Sequence, residues 1–496
     1  MTGWAGRHRE SVALYERLLA DHPEMARATR GDLAAERLWA DDPRGALRDF
    51  DLRIAEEPTD RDARRLRALA LAYANRLRES LGAYDELLRE NPVDDDLALG
   101  RARVLGWMGR HREAGEAYRA LLERDPRDRG AQLGLAQNEN WAGHHRRAAA
   151  LFEALAEGDG ADPEVYKGLA FAHYWAGQPD DARRALDVYL ERVPADPEGL
   201  DLSRRLAGEG RPGVTLGVER SDDSDELRVR TTHMELRWPL AAQTTAVLGW
   251  RRDNVMDPGG TRDPLQIGGG IEKIWSAMWS GRGYVYYADL GDSSGTAGLG
   301  EAALTWRPVD ATRFDLGFAR ELVMTRLALA KGISALTWVA GVDWNPADRL
   351  GLHADGRLRR FSDDNRAERF GLAARWRVYS DRRKNLHLTL AAEQLRTRLD
   401  LDDGYYDPPL YREWGPGAEA EWSPSETVSF GVRGQTGWQR EKNAETKPFY
   451  NASANAEIDI ARVVHLSIEG GRSNSNLQAE SGFEQRRWSA SLARSF

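Results

Sequence analysis

The chain ends on Trp488-Ser489-Ala490-Ser491-Leu492-Ala493-Arg494-Ser495-Phe496, where apolar and polar residues alternate up to a terminal aromatic. Trp488, Ala490, Leu492 and Phe496 fall on one face, with Arg494 the exception. Arg487, Ser489, Ser491 and Ser495 fall on the other. A period of two means a strand with one face in apolar surroundings and one in polar. At the very end of a chain, this is the form of a strand that closes an outer-membrane β-barrel. The same period recurs from Gly213 onward and limits that stretch to a sheet whose edges must all be paired. Mean hydropathy is −0.63, and no stretch has the apolar length a membrane helix requires. A barrel escapes that criterion because only alternate residues face lipid.

The spacing predicts sixteen strands near 213–221, 226–238, 243–252, 264–275, 279–289, 298–307, 311–320, 333–344, 348–360, 366–378, 384–395, 410–422, 426–438, 449–460, 463–473 and 485–496. Short Pro-marked connections follow even-numbered strands: Trp238-Pro239, Trp306-Arg307-Pro308, Trp344-Asn345-Pro346 and Trp422-Ser423-Pro424. Long polar ones alternate with them: Arg251 to Asp263, Gly291 to Gly298, Glu321 to Gly332, Arg396 to Pro409, Arg440 to Lys447 and Ser473 to Gly482. Short turns belong to the periplasmic rim and long loops to the exterior, with the Trp residues beside the short turns forming an aromatic girdle. Alternation points Leu350, Leu352, Ala354 and Leu358 to lipid and His353, Asp355, Arg357 and Arg359 to the lumen. Ala454, Ala456, Ile458 and Ile460 likewise face out, and Asn455, Glu457 and Asp459 face in. A slip in the second strand is expected at Thr231-Thr232, at a bulge.

Before this region the period is helical and the motif repeats. Pro58, Pro92 and Pro126 are 34 residues apart, Pro163 follows after 37 and Pro197 after 34. Trp107, Trp141 and Trp175 also step by 34, as do Gly109, Gly143 and Gly177. A 34-residue helix-turn-helix unit is the tetratricopeptide pattern. The residues Glu157-Gly158-Asp159-Gly160 are expected to loosen one turn between repeats. His111 and His145 share a repeat position, and His144-His145-Arg146-Arg147 looks like a ligand cluster, but polar residues opening the second helix explain both. The Trp column reads as inter-helix packing. Trp4-Ala5-Gly6-Arg7-His8-Arg9-Glu10 aligns with Trp107-Met108-Gly109-Arg110-His111-Arg112-Glu113, so the chain is expected to open inside a repeat, with upstream repeats and a signal peptide missing.

The predicted fold is therefore an α+β multidomain chain. Residues 1–210 form a tetratricopeptide α-solenoid, and residues 211–496 a sixteen-stranded antiparallel transmembrane β-barrel. Cysteine is absent, which excludes disulfides, thiolate metal sites and cysteine nucleophiles. Net charge −9 argues against nucleic acid as a partner. No HExxH, phosphate-binding Gly-rich loop or GxSxG is present, so neither enzymatic activity nor a cofactor or metal is expected. Gly268-Gly269-Gly270 lies within a strand, where it permits tight packing.

Substrate contacts are expected on the lumen face. The candidate acids are Asp315, Asp355, Glu393, Glu419, Glu421, Glu457, Asp459 and Glu469. The bases are Arg313, Arg357, Arg359, Arg369, Arg375 and Arg377, which suggests an electrically divided pore. Tyr405 and Tyr406, among the carboxylates of Asp400 to Asp407, form a loop suited to sugar rings. Such acidic loops also bind divalent cations and lipopolysaccharide.

The Trp-Ala-Gly repeats, the sequence Gly404-Tyr405-Tyr406-Asp407-Pro408 and the terminal Phe496 resemble the tetratricopeptide-repeat outer-membrane exopolysaccharide export porins. That group includes the poly-β-1,6-N-acetylglucosamine export porin and the C subunit of bacterial cellulose synthase. The tyrosine loop is similar to the Tyr-Tyr-Ser-Pro loop of cellulose exporters, with Asp407 in place of Ser. The resemblance implies a barrel that conducts an exopolysaccharide across the outer membrane. It also implies periplasmic repeats that dock a polysaccharide-modifying enzyme or the polymer. A deacetylated, partly cationic polymer suits the excess of lumen acids. The alternative is a scaffold that recruits proteins and uses the barrel only as an anchor.

Overall fold

The computed structural model describes residues 7–157, 162–208, 210–291, 295–347, 349–380, 383–401, 403–425, 427–461, 463–475 and 484–496. It divides into two compact units, Met1–Ala172 and His173–Phe496. Helices come first: α1 (His8–Asp21), α2 (Ala26–Trp39), α3 (Pro43–Glu56), α4 (Arg61–Tyr73), α5 (Leu77–Glu90), α6 (Asp95–Trp107), α7 (His111–Arg124), α8 (Arg129–Trp141), α9 (His145–Ala156), α10 (Pro163–Trp175), α11 (Pro179–Arg192) and α12 (Pro197–Gly208). The residues Trp4-Ala5-Gly6, on which the N-terminal alignment rests, lie outside the described residues.

The helix pairs repeat without a break. First helices begin at Arg61, Asp95, Arg129, Pro163 and Pro197, 34 residues apart throughout. The step of 37 expected at Pro163 is therefore not a longer repeat. Pro58, Pro92 and Pro126 precede their helices by three residues, whereas Pro163 and Pro197 are first helical residues, where the missing N–H has no partner to lose. The turn at Gly158-Asp159-Gly160, read as loosened, lies outside the described residues. Asp60, Asp94 and Asp128 each cap the next helix by accepting from a backbone N–H three residues on, satisfying an otherwise orphan donor. Two residues beyond the ends of α2, α4, α6, α8 and α10 the chain turns left-handed: Asp41, Asn75, Gly109, Gly143 and Gly177 have φ of 66, 60, 71, 87 and 75°. The following N–H reaches back to close the turn, as from Arg110 to the Leu105 carbonyl at 3.0 Å. Second helices lay Tyr84, Tyr118 and Phe152 onto Gly100, Gly134 and Gly168 of the next repeat. A methyl at Gly134 would stand 2.4 Å from the Tyr118 ring.

The strands are β1 (Gly213–Asp223), β2 (Arg228–Ala241), β3 (Thr244–Asp257), β4 (Gly260–Arg262), β5 (Leu265–Ile274), β6 (Trp279–Asp289), β7 (Thr296–Val309), β8 (Thr312–Leu322), β9 (Ser334–Ala347), β10 (Leu350–Phe361), β11 (Arg366–Ser380), β12 (Lys384–Thr397), β13 (Tyr411–Trp422), β14 (Val428–Glu441), β15 (Lys447–Ala461), β16 (Val464–Ser473) and β17 (Gln485–Ser495). Sixteen of them make one antiparallel wall that closes where β17 pairs with β1. The seventeenth, β4, is a three-residue hairpin folded onto the end of β3, so part of the expected Arg251–Asp263 loop is strand.

Register keeps one face outward around the whole wall. Leu216 stands opposite Met234, Met234 opposite Trp250, Trp250 opposite Ile267 and Ile267 opposite Tyr287. On the other side Leu216 meets Leu492 across the closure. Outward Leu248, Leu316, Leu390 and Val432 are 60, 58, 62 and 59% exposed. So broad an apolar exterior is that of a bilayer-spanning barrel. The faces expected for β10 and β15 agree with this register.

Trp238, Trp279, Trp306, Trp344 and Trp422 ring the short-turn rim, with Trp279 and Trp306 stacked at 5.6 Å. Sequence alone did not show a second girdle near the long loops, which includes Trp338, Phe370, Trp414, Trp438 and Trp488. The slip expected at Thr231-Thr232 is absent. Thr231 pairs with Asp253 and Thr232 with Arg252 in unbroken register, and the irregularity falls at Pro239/Ala241, where proline has no N–H to donate. Thr231 interrupts the apolar pattern because it faces the lumen, where its hydroxyl donates to Asp253 at 2.6 Å.

Candidate functional site

Below the long-loop rim the lumen face is charged, and its acids stand beside bases. Asp315 accepts from Thr305 Oγ1 at 2.6 Å and from Arg313. Glu393 accepts from Arg369 Nε at 2.8 Å. Glu419 lies between Arg375 at 3.4 Å and Arg433 at 3.0 Å, and Glu469 meets Arg487 at 3.1 Å. Glu421 accepts from Asn385 Nδ2 at 3.3 Å. Two histidines bridge carboxylates: His465 lies 2.7 Å from Glu457 and 2.8 Å from Asp459. His353 stands 2.8 Å from Asp343 and 3.4 Å from Asp355.

Charge is thus mixed more finely than the expected division into an acidic and a basic sector. Arg433 carries positive charge in among the acids, beside Glu419, and Arg487 on β17 pairs with Glu469. Arg237 with Glu235 and Glu272, and Arg251 with Asp253, extend the mixture to β2, β3 and β5. The same parity places these residues on the lumen face, an odd number of positions from the outward Met234, Leu236, Trp250 and Ile271. On β6, Tyr284 and Tyr286 lie parallel at 6.2 Å, packed on the backbone of Gly268 and Gly270.

Near the long-loop rim the lumen face turns apolar, and a loop folds in to cover it. Val255, Ala288 and Leu299 point inward by register, as do Ala335, Phe361 and Ala367. Between β8 and β9 the chain forms a single helical turn, α13 (Arg326–Ala330), capped by Thr325. Leu329 of this turn is buried with Val255, Ala288 and Leu299. Val323, Ala328 and Ile333 are buried with Ala335, Phe361 and Ala367. The segment read as a polar external loop from Glu321 to Gly332 therefore lies across the bore, from β3 to β11. Its polar residues tie it in place: Arg326 pairs with Asp257, and Lys331 with Asp403.

The tyrosine loop packs on the same assembly. Tyr405 is buried, stacked on Phe361 at 4.5 Å, and its hydroxyl donates to Asp363 at 2.8 Å. Tyr406 sits edge-on to Tyr411 at 6.1 Å. Gly404, at φ 82°, lets the loop approach Leu327 where a side chain would collide. Asp407 Oδ2 accepts from Leu401 N at 2.7 Å and Asn365 Nδ2 at 3.2 Å. Burial, opposed by the Leu401 N–H and reinforced by Asp400, Asp363 and Asp403, pushes its carboxyl up to about 6. The tyrosine faces expected to meet sugar are thus partly covered by protein in this conformation. Among the described residues, no three metal-ligating side chains converge.

The histidines of the repeats are accounted for by packing. His111 lies 3.1 Å from Asn138, His144 2.8 Å from Glu139 and His145 2.8 Å from Asn140. Glu139 is buried, and burial would raise its carboxyl. The hydrogen bond from His144 and the charges of Arg147, His144 and Arg119 outweigh that and hold it below the usual range.

A tetratricopeptide-repeat family model matches residues 142–206. No curated protein matches the chain. A solved structure described as a bacterial polysaccharide outer membrane secretin is similar at TM-score 0.50 and 13% identity, covering 58% of this chain and 99% of its own. A thermophilic tetratricopeptide-repeat protein of Thermus thermophilus is 21% identical over 36% of this chain and 97% of its own, at TM-score 0.32. The chain joins tetratricopeptide repeats to a closed sixteen-stranded barrel whose fold is similar to that of a polysaccharide outer membrane secretin.

Proposed function

We propose that this chain exports an exopolysaccharide through the outer membrane, with its long loops outside and its repeats in the periplasm. The observation that carries the reading is the closed barrel itself, apolar outside and lined inside by carboxylates, guanidinium groups and hydroxyls. Such a wall offers the hydroxyls of a sugar chain many donors and acceptors at short range. The repeats dock a periplasmic polysaccharide-modifying enzyme or the polymer itself. A scaffold that uses the barrel only as an anchor is the second reading. It leaves unexplained why a loop is packed across the bore and tied there by ion pairs. In the source bacterium, deleting the gene is expected to strip the polymer from the cell surface and trap it in the periplasm. An unchanged amount of surface polymer, with cell-envelope proteins displaced instead, would favour the scaffold.

A further inference from the structure

The first helices α2, α4, α6, α8 and α10 each end on an aromatic residue. Trp39, Tyr73, Trp107 and Trp141 are the last residues of α2, α4, α6 and α8, spaced by 34, and Trp175 ends α10 at the same repeat position. Packing between helices was the expected role of Trp107, Trp141 and Trp175. Trp107 does pack, half-buried against the cluster of Ala72, Tyr84 and Val104, whereas Trp39, Tyr73, Trp141 and Trp175 remain 47, 51, 46 and 48% exposed. Isolated exposed aromatics are ordinary; a row at one repeat position is a continuous feature. The Tyr73 and Trp107 rings lie 5.6 Å apart. The Trp141 ring continues the row, lying where a methyl on Gly106, beside Trp107, would come within 3.7 Å. The left-handed residue two positions after each rung fixes the same turn in every repeat.

From this row we infer a polysaccharide-binding track along the repeats, a proposal that rests on the export reading and gives the array its ligand. The period selects the occupant. Flat apolar faces recurring at a fixed step match a ligand that itself repeats, and a folded protein surface has no such translation. Charge selects in the same direction. Arg76 and Arg110, just after the rungs, are each bound in two-point pairs to Glu79 and Glu113. At these two turns the strip therefore presents rings and hydrogen-bonding groups rather than net charge. Pyranose rings offer an apolar C–H face that stacks on such rings, with hydroxyls at the rim for the paired polar groups.

The test uses the full chain in detergent with cellohexaose and chitohexaose as probes and the matching disaccharides as short controls. Binding, read by tryptophan fluorescence and calorimetry, is expected for at least one hexaose and to be much weaker for its disaccharide. Replacing Trp107 and Trp141 together by Ala is expected to weaken it roughly tenfold. Replacing both by Phe, which keeps flat faces, should retain most of it, and Leu52→Ser, at an exposed site off the row, should change nothing. Far-UV circular dichroism checks that each variant keeps its helices. No binding by the wild-type chain, or equal binding by the folded Ala variant, would overturn the track. Export that persists in cells carrying the Ala variant with hexaose affinity unchanged would remove the track but leave the conduit. Loss of the conduit itself is read separately, from surface polymer in the gene deletion.

Discussion

Arg326 donates through Nε to Oδ1 of Asp257, a residue 69 positions earlier in the chain, and this pair ties the inward loop to the β3–β4 hairpin. Close approach is possible because Gly259 leaves room: a methyl there would collide with the guanidinium. The loop is held by this pair at one end and by buried Leu329 in the middle. Truncating Leu329 to Ala removes about 2–5 kcal/mol of packing. In planar bilayers, Leu329→Ala with Arg326→Ala should raise the mean conductance and the frequency of open events. Conductance equal to wild type would show that the loop does not limit the bore.

Face assignment is tested by neighbours on one strand. Leu390 faces lipid near the middle of β12, and Ala391 faces the bore. Leu390→Arg should impair insertion by about 2–4 kcal/mol, whereas Ala391→Arg should cost little. Heat-modifiability on gels after refolding reads the difference. Equal effects would contradict the register.

In the array, Gly134→Ala should act against helix propensity. An exposed helical Gly→Ala change stabilises by about 1 kcal/mol. Here the added methyl meets the Tyr118 ring at 2.4 Å, and overpacking costs about 1–3 kcal/mol. Thermal unfolding followed at 222 nm should show a lower helix transition. A higher one would mean that the repeats give way easily.

Asp407 predicts a pH dependence of the tyrosine loop. Its folded value, about 6, exceeds the ordinary 3.8, so the folded loop binds a proton more tightly than the open one. Below pH 3.8 no stability is lost. Between 3.8 and 6 the loop loses stability as pH rises, and above 6 the loss is complete. Hydrogen exchange at the Leu401 amide, taken as the ratio of wild type to Asp407→Asn, should increase across that window and then level off. A flat ratio would contradict the assignment.

Much of this architecture was legible from period alone. Strand parity located the lipid and lumen faces of β10 and β15 because each side chain there sees only one medium. Parity failed at Thr231, where a polar side chain obeys the lumen rule beside an outward Thr232. The Glu321–Gly332 loop was illegible for another reason: Leu327, Ala328 and Leu329 carry no strand or long-helix period, so their apolar character pointed to no partner. The lumen across from them is distant in sequence. Pro163 misled the repeat count because proline suits both the turn before a helix and its first residue. The exposure of Trp141 and Trp175 was illegible too, since the 34-residue step gives the column but not which of its rings is packed.

The central claim is that the barrel is a sugar conduit closed by its own loop. Proteoliposomes containing the full chain and loaded with fluorescently labelled cellohexaose test it directly. Wild type should release the sugar slowly, and a chain with residues 324–331 replaced by a Gly-Ser linker should release it much faster, with protein-free liposomes releasing none. Retention of the sugar by the loop-replaced chain, at the level of protein-free liposomes and with the barrel still heat-modifiable, would contradict the account.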